Sequence, residues 1–232
     1  MTPFDRAAAA IGAYNRNLRD AIRWAHPSWL AEALGVDVSA IERWCVVLSS
    51  APRTRLDTIS LALWRASGVS MPDITTFIAP SAAMLDVLPP EDGLRMLRAR
   101  ALLFRGAQVR RLIDKGSRMR LVEWTGVPLD SILQASPGAP DTAAFALSGA
   151  MPSLGEMDAQ TLAQEGYFLV ARDERDSTVL NGPCALLRLA LPRDAVPPRW
   201  LDARASGLDK QGTRNLLTHL PMWLPEWKWL FG

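Results

Sequence analysis

A mainly α-helical, irregular domain is predicted by three features of the chain. Apolar residues recur at helical spacing, start signals stand ahead of those runs, and Gly or Pro stops stand behind them. The 232 residues are 49% hydrophobic and 22% charged, with 15 Gly and 17 Pro, which suits a folded chain with a sizeable core. The C-terminal third leaves room for a small β-hairpin. The expected organisation is a helical region over residues 1–134, a linker or long loop over 135–155, and a second helical region over 156–232 packed on the first as one globular unit.

The elements follow in order. Thr2 is placed to cap a helix whose first position is Pro3, with Asp5 near the positive end of the dipole. Phe4, Ala8, Ile11, Leu18 and Ile22 give it one apolar stripe, and His26-Pro27 ends it. A short helix over 28–34 stops at Gly35. Ser39 and Glu42 form a capping box ahead of Trp44, Cys45 and Leu48; Thr54 and Asp57 repeat it ahead of Ile59, Leu63 and Trp64, with Ser67-Gly68 as the stop. A Pro-punctuated connector runs from Met71-Pro72 to Pro89-Pro90. The longest periodic segment covers Glu91 to Trp124 and ends at Gly126 and Val127-Pro128; Gly106 and Gly116 each weaken it by about 1 kcal/mol relative to Ala, enough to kink or break it.

Residues 135–155 are rich in Pro, Ala, Ser and Gly. Met157 to Arg172 has helical spacing, although Tyr167 to Val170 also reads as a strand. Asn181-Gly182-Pro183 is a turn, and Cys184 to Leu191 is a short helix or strand. Leu208 to Leu220 reads as a helix followed by a Trp-rich tail.

Composition excludes several function classes. The net charge is +2, too small for a generic polyanion binder. The two cysteines, Cys45 and Cys184, sit far apart among apolar neighbours and read as free, buried thiols in a reducing cytoplasm. Met1-Thr-Pro-Phe-Asp-Arg lacks the parts of a signal peptide, and no uncharged apolar run approaches the roughly 20 residues that cross a bilayer. A cytoplasmic protein without membrane insertion is expected.

Catalytic chemistry finds no foothold in the pattern. The two histidines are His26 and His219. H-E-x-x-H, C-x-x-C, both Gly-rich phosphate cradles and G-x-S-x-G are absent, so catalytic, cofactor-binding and metal-binding residues are all expected to be none. A Cys45/His26 dyad would need an orienting partner that the sequence does not supply. Asp173-Glu174-Arg175-Asp176 reads as a solvated turn.

The distribution of charge is more informative than its sum. The chain carries 23 Arg against 3 Lys, and Arg95 to Arg120 holds eight Arg and one Lys against the single acid Asp114. On one continuous helix Leu94, Leu97, Ala101, Leu112 and Met119 share a face, while Arg100, Arg111 and Arg118 form a basic ridge on the far side. Arg98 and Arg105 fall near the apolar stripe and should snorkel or pair with carboxylates. The ridge reads as a solvated face, as a dock for an acidic protein surface, or as part of an Arg-rich helical nucleic-acid-binding regulator.

This segment also carries a family resemblance. Arg98-Ala-Arg-Ala-Leu-Leu-Phe-Arg-Gly-Ala-Gln-Val-Arg-Arg-Leu-Ile-Asp, continuing to Leu121-Val-Glu-Trp-Thr-Gly-Val-Pro, resembles the SctK (YscK-like) proteins of bacterial type III secretion, in their Hrp-type form. His26-Pro-Ser-Trp-Leu and Gly182-Pro-Cys-Ala-Leu-Leu-Arg-Leu-Ala-Leu-Pro add to the similarity, which covers about a third of the chain. The resemblance implies a non-enzymatic cytoplasmic adaptor of the sorting platform. Such adaptors connect the SctD inner-membrane ring to the SctQ pods, which carry the SctL–SctN ATPase assembly. It supplies no residue-level contact motif.

The tail, Pro221 to Gly232, places Trp223, Trp227, Trp229, Leu230 and Phe231 together. So much aromatic surface either plugs the core or anchors a partner. The expected partner-binding residues are therefore Arg100, Arg111, Arg118, Trp223, Trp227 and Trp229. The expected partners are an SctQ-like pod protein and an SctD-like ring protein, with no nucleic acid.

Overall fold

Local capping starts the first helix, α1 (Pro3–Arg19): Thr2 accepts from the Asp5 amide while Asp5 reaches back to the Thr2 amide, a complete capping box with Pro at the first turn. The computed structural model describes residues 1–78, 80–135, 140, 142, 151–174, 182–201 and 208–231. Helix α1 is followed by α2 (Ala21–Trp24), α3 (Pro27–Leu34), α4 (Val38–Ser49) and α5 (Arg53–Ser67), then by 3₁₀ turns at Ile74–Phe77 and Ala82–Val87. Next come α6 (Pro90–Phe104), α7 (Gly106–Arg111), α8 (Lys115–Thr125), α9 (Leu129–Ala135) and α10 (Ala159–Asp173). After 3₁₀ turns at Leu187–Ala190 and Arg199–Leu201, the chain ends in α11 (Gly212–Trp223), a turn at Pro225–Trp227, and α12 (Lys228–Phe231). The fold is mainly helical, and no strand occurs among the described residues: Tyr167 to Val170 belong to α10 and Cys184 to Leu191 form helical turns.

Several expected starts and stripes are corrected. Helix α4 is capped by Asp37, whose carboxylate accepts from the Ser39 amide at 2.8 Å, so Ser39 lies inside the helix. Pro52 opens α5 without a side-chain cap. Phe4 is 81% exposed and Ala8 is exposed too, because α1 turns Ala7, Ala10 and Tyr14 inward there, while Leu18 and Ile22 are buried as their spacing implies. Gly35, Gly68 and Gly126 do end their helices in the left-handed region.

The described chain forms two compact units. The first comprises Met1–Gly93 with the described part of Asp176–Ala195; the second comprises the described parts of Leu94–Arg175 and Val196–Gly232. This division differs from the one expected along the sequence, because the segment around Cys184 to Leu191 returns to the N-terminal helices. Most of the expected 135–155 linker, at 136–139, 141 and 143–150, lies outside the described residues.

In the first unit α1 packs on α5 and on Ala82–Val87, and α3 packs on α4 and α5. Its returning segment is held by main-chain bonds. Asp86 is buried and accepts from the Leu186 and Leu187 amides at 3.1 and 2.7 Å. The Cys184 thiol donates to the Ala82 carbonyl. Arg188 donates to the carbonyls of Leu191, Pro192 and Arg193, with its guanidinium 5.2 Å from the centre of the Trp29 ring.

In the second unit α9 packs on α7, α8 and α11, and α11 packs on α10 and α12. Phe104 stacks on Trp200 at 5.1 Å beside Leu169 and Met151. Gly166 lets α10 approach the Leu97 carbonyl so closely that a Cβ would overlap it.

Candidate partner-binding surfaces

The expected basic ridge does not form, because the long helix is broken twice. Arg105 interrupts it ahead of Gly106, and Leu112 leaves α7 in an extended conformation. Asp114 then starts α8 afresh, its carboxylate accepting from the Ser117 amide at 2.6 Å. Each break resets the helical register, so residues aligned on one continuous wheel diverge. Leu97 and Ala101 stay buried, whereas Met119 faces solvent.

Arg100 is 0% exposed, which corrects its placement on a partner-binding surface. Its guanidinium donates to Asp173 and Asp209, both at 2.7 Å, and to the Thr213 hydroxyl at 3.1 Å. Asp209 reaches this position with a backbone φ of 53°, and Gly212 leaves no room for a Cβ beside the guanidinium. Asp173 also accepts from Arg172 at 2.7 Å, so it belongs to a buried cluster and not to the solvated turn that its acidic and basic neighbours suggested. Burial pushes the Asp209 carboxyl up, against the pull of Arg100.

Arg105 pairs as the sequence implied. It is fully buried and grips both Glu165 oxygens at 2.6 Å, with a further bond to the Pro152 carbonyl at 2.7 Å. Arg98 gives its donors to the main-chain carbonyls of Trp124 and Ala159. Arg111 is exposed, and Arg118 is partly exposed with a 3.4 Å pair to Asp130. The structure thus separates the three ridge residues and leaves two of them, Arg111 and Arg118, at the surface.

The tail folds back through its aliphatic and phenyl side chains. Leu224, Leu230 and Phe231 are buried, while Trp223, Trp227 and Trp229 are half-buried along their flank. Trp223 lies 5.7 Å from the His219 ring and Trp227 lies 5.9 Å from Trp229. These indoles already contact one another or the helix, which limits what they can offer a partner.

Among the described residues two grooves carry exposed apolar side chains, and the sequence pattern announces neither. In the first unit α3, α4 and α5 enclose a groove of about 310 Å³ lined by Leu30, Leu34, Trp44, Leu48, Ile59 and Leu63. Trp44 is 61% exposed, and Val46 and Val47 beside it face solvent. In the second unit α8 and the start of α9 form an open groove of about 630 Å³ around Met119, Val122, Pro128 and Leu129, with Lys115, Arg118, Glu123 and Asp130 at its edges. The available signal was the run Cys45 to Leu48, too apolar for a single buried stripe.

His26 caps α3 by accepting from the Ser28 amide, and burial lowers its basicity. Cys45 is only partly buried, which corrects one of the two expected buried thiols; Cys184 is buried. Among the described residues no group of His, Cys, Asp and Glu is placed to hold a metal ion, and no helix is long and apolar enough to cross a membrane.

A family model described as bacterial type III secretion protein (HrpB4) matches residues 1–226. No curated protein and no solved structure matches the chain.

Proposed function

The chain belongs to the HrpB4 family of bacterial type III secretion proteins, and from that premise we propose that it is a non-enzymatic adaptor of the sorting platform. In this reading it works at the cytoplasmic face of the inner membrane and links an SctD-like ring protein to an SctQ-like pod protein, and so to the SctL–SctN ATPase complex. The mechanism is binding without turnover.

The observation that carries the reading is the pair of uncovered apolar grooves, one in each unit. Apolar side chains left exposed beside a groove, such as Trp44 and Met119, favour an interaction site, and one such groove in each unit suits a protein that holds two partners. The most basic stretch supports a protein partner over a nucleic acid: Arg98, Arg100 and Arg105 are turned inward, bound to carbonyls and carboxylates. A phosphate backbone would need such cations at the surface.

The test is binary binding of the purified chain to the pod protein and to the cytoplasmic domain of the ring protein. Trp44→Glu combined with Val47→Glu should weaken one of the two complexes at least about 30-fold, as loss of an interfacial Trp does. The other complex and the thermal midpoint should be unchanged. Undiminished binding of both partners would remove the first groove from the account, and failure of the unaltered chain to bind either would remove the adaptor.

A further inference from the structure

Helix α3 begins on a side chain whose capping role a single proton abolishes. His26 stands at its N-cap, and the imidazole Nδ1 accepts from the Ser28 amide at 3.3 Å. The Ser28 hydroxyl lies 2.8 Å from the same nitrogen and itself accepts from the Arg193 amide at 2.9 Å. An amide N–H can only donate, so Nδ1 holds a lone pair towards Ser28, and the hydrogen of the neutral ring belongs on Nε2. Elsewhere in the chain carboxylates do this work: Asp37 opens α4 and Asp114 opens α8. A carboxylate remains an acceptor between about pH 5 and pH 8, whereas an imidazole changes there from acceptor to donor.

The start of α3 also fastens the returning segment of the first unit. His26 donates its own amide to the Leu189 carbonyl at 2.7 Å. Trp29, in the first turn, is buried, and its indole N–H donates to the Leu191 carbonyl at 2.9 Å. The Arg188 guanidinium lies over that indole. Leu30, the next residue, lines the groove between α3, α4 and α5. An open cavity of about 530 Å³ beside His26, bounded by Ser28, Glu32, Asp37, Arg193 and Asp194, gives water access to the site.

Charged groups approach the ring from α3, from α4 and from the returning segment. Burial holds the imidazole below its ordinary 6.5; Asp194 opposes this, Arg188 adds to it, and Glu42 opposes it. Glu32 is engaged by Arg193 at 3.2 Å, and Asp37 is turned onto the Ser39 amide. An imidazolium would also sit at the positive end of α3, where a cation is disfavoured. Because the folded value is the lower one, the stabilising contribution of His26 is full above 6.5 and is lost as pH falls through that lower value.

We propose that His26 is a proton-operated switch: the neutral imidazole caps α3 and fastens it to residues 189–193, and protonation uncaps the helix and loosens the turn that carries Trp29 and leads into Leu30. Once Nδ1 carries a hydrogen, the Ser28 amide loses its acceptor and the Ser28 hydroxyl must turn its own hydrogen away from the ring. The switch belongs to the first unit alone and needs no partner.

The test follows the full chain, labelled with nitrogen-15, by NMR between about pH 7.5 and pH 5. Imidazole spectra should place the hydrogen of neutral His26 on Nε2, with a midpoint below 6.5. Amide exchange, corrected for its intrinsic pH dependence, should show the protection of Ser28 and Trp29 falling roughly 3- to 30-fold at the lower pH, the worth of an N-cap. The Trp29 indole N–H should lose protection with the same midpoint. His26→Asn, whose amide oxygen caps without titrating, should keep that protection flat with pH, and His26→Ala should show the weaker protection at both ends. Asp86 titrates in the same range but holds the Leu186 and Leu187 amides, so the Asn variant separates the two groups. A hydrogen on Nδ1 of the neutral ring, Ser28 protection unchanged while His26 titrates, or an equal fall in His26→Asn would each overturn the proposal. The first two of these are read on the unaltered chain.

Discussion

In the first unit Arg188 directs its donors to main-chain carbonyls and to the face of Trp29, whereas in the second Arg100 and Arg105 meet buried carboxylates. The same residue type therefore serves two different ends. A carbonyl that loses its arginine remains a neutral dipole, but a carboxylate that loses its arginine becomes a buried charge. The second unit should thus be the more sensitive to loss of an arginine, although its surface is the more basic. An Arg-rich composition is partly a property of the interior here, and net charge says little about which face meets a partner.

The largest expected effect breaks the Arg105–Glu165 pair. Arg105→Ala should cost about 3–5 kcal/mol in urea unfolding, because Glu165 is left buried and uncompensated. Arg105→Met with Glu165→Leu should recover most of that loss. Arg188→Ala should cost about 1–3 kcal/mol, since the carbonyls of Leu191, Pro192 and Arg193 lose a donor. Equal costs for the two single variants, with no recovery in the double, would dissolve the contrast between the units.

A smaller effect concerns pH in the first unit. Burial pushes the Asp86 carboxyl up to about 7 from an ordinary 3.8, against its two amide donors. Between those values the folded state binds the proton more tightly than the unfolded one. The stabilising contribution of Asp86 is therefore full below about 4 and is lost as pH rises through about 7. The stability margin of the unaltered chain over Asp86→Asn should be larger at pH 5 than at pH 8 in paired denaturant titrations. A margin that is constant or grows with pH would show Asp86 ionised in the fold. The smallest effect belongs to the exposed pairs: Arg53→Ala, which loses contacts with Asp20 and Asp57 at 3.3 and 3.7 Å, should shift stability by less than about 1 kcal/mol.

What the sequence revealed was what short-range chemistry decides. The Thr2 cap and the glycine ends of α3, α5 and α8 each depend on residues within a few positions, whereas Pro27, expected to end the preceding helix, opens α3. Choosing between Asp37 and Ser39 as the cap of α4 was already harder, since both types cap and only the path of the chain decides. Arg100 was misplaced for a different reason. Its acceptors Asp173 and Asp209 lie 73 and 109 residues away, so nothing near it announces a buried cluster. The wheel that put it on a ridge also assumed one helix where Arg105 and Leu112 make three. The grooves are not announced by the pattern: Met119 shares a helical face with Leu94 and Leu97 in the sequence yet is exposed, and apolar periodicity cannot tell a face covered by the same chain from a face left for another. The family itself was legible from the Arg98 to Pro128 segment, as far as a type III secretion protein.

In the adaptor we propose, one chain joins two assemblies through two separate surfaces. Its most direct test is light scattering coupled to size exclusion on a mixture of the chain, the pod protein and the cytoplasmic domain of the ring protein. A ternary complex is predicted that dissociates when the chain is left out. Trp44→Glu with Val47→Glu should release one partner from it, and Met119→Glu should release the other. Mutual exclusion of the two partners, or loss of both with either variant, would contradict the claim.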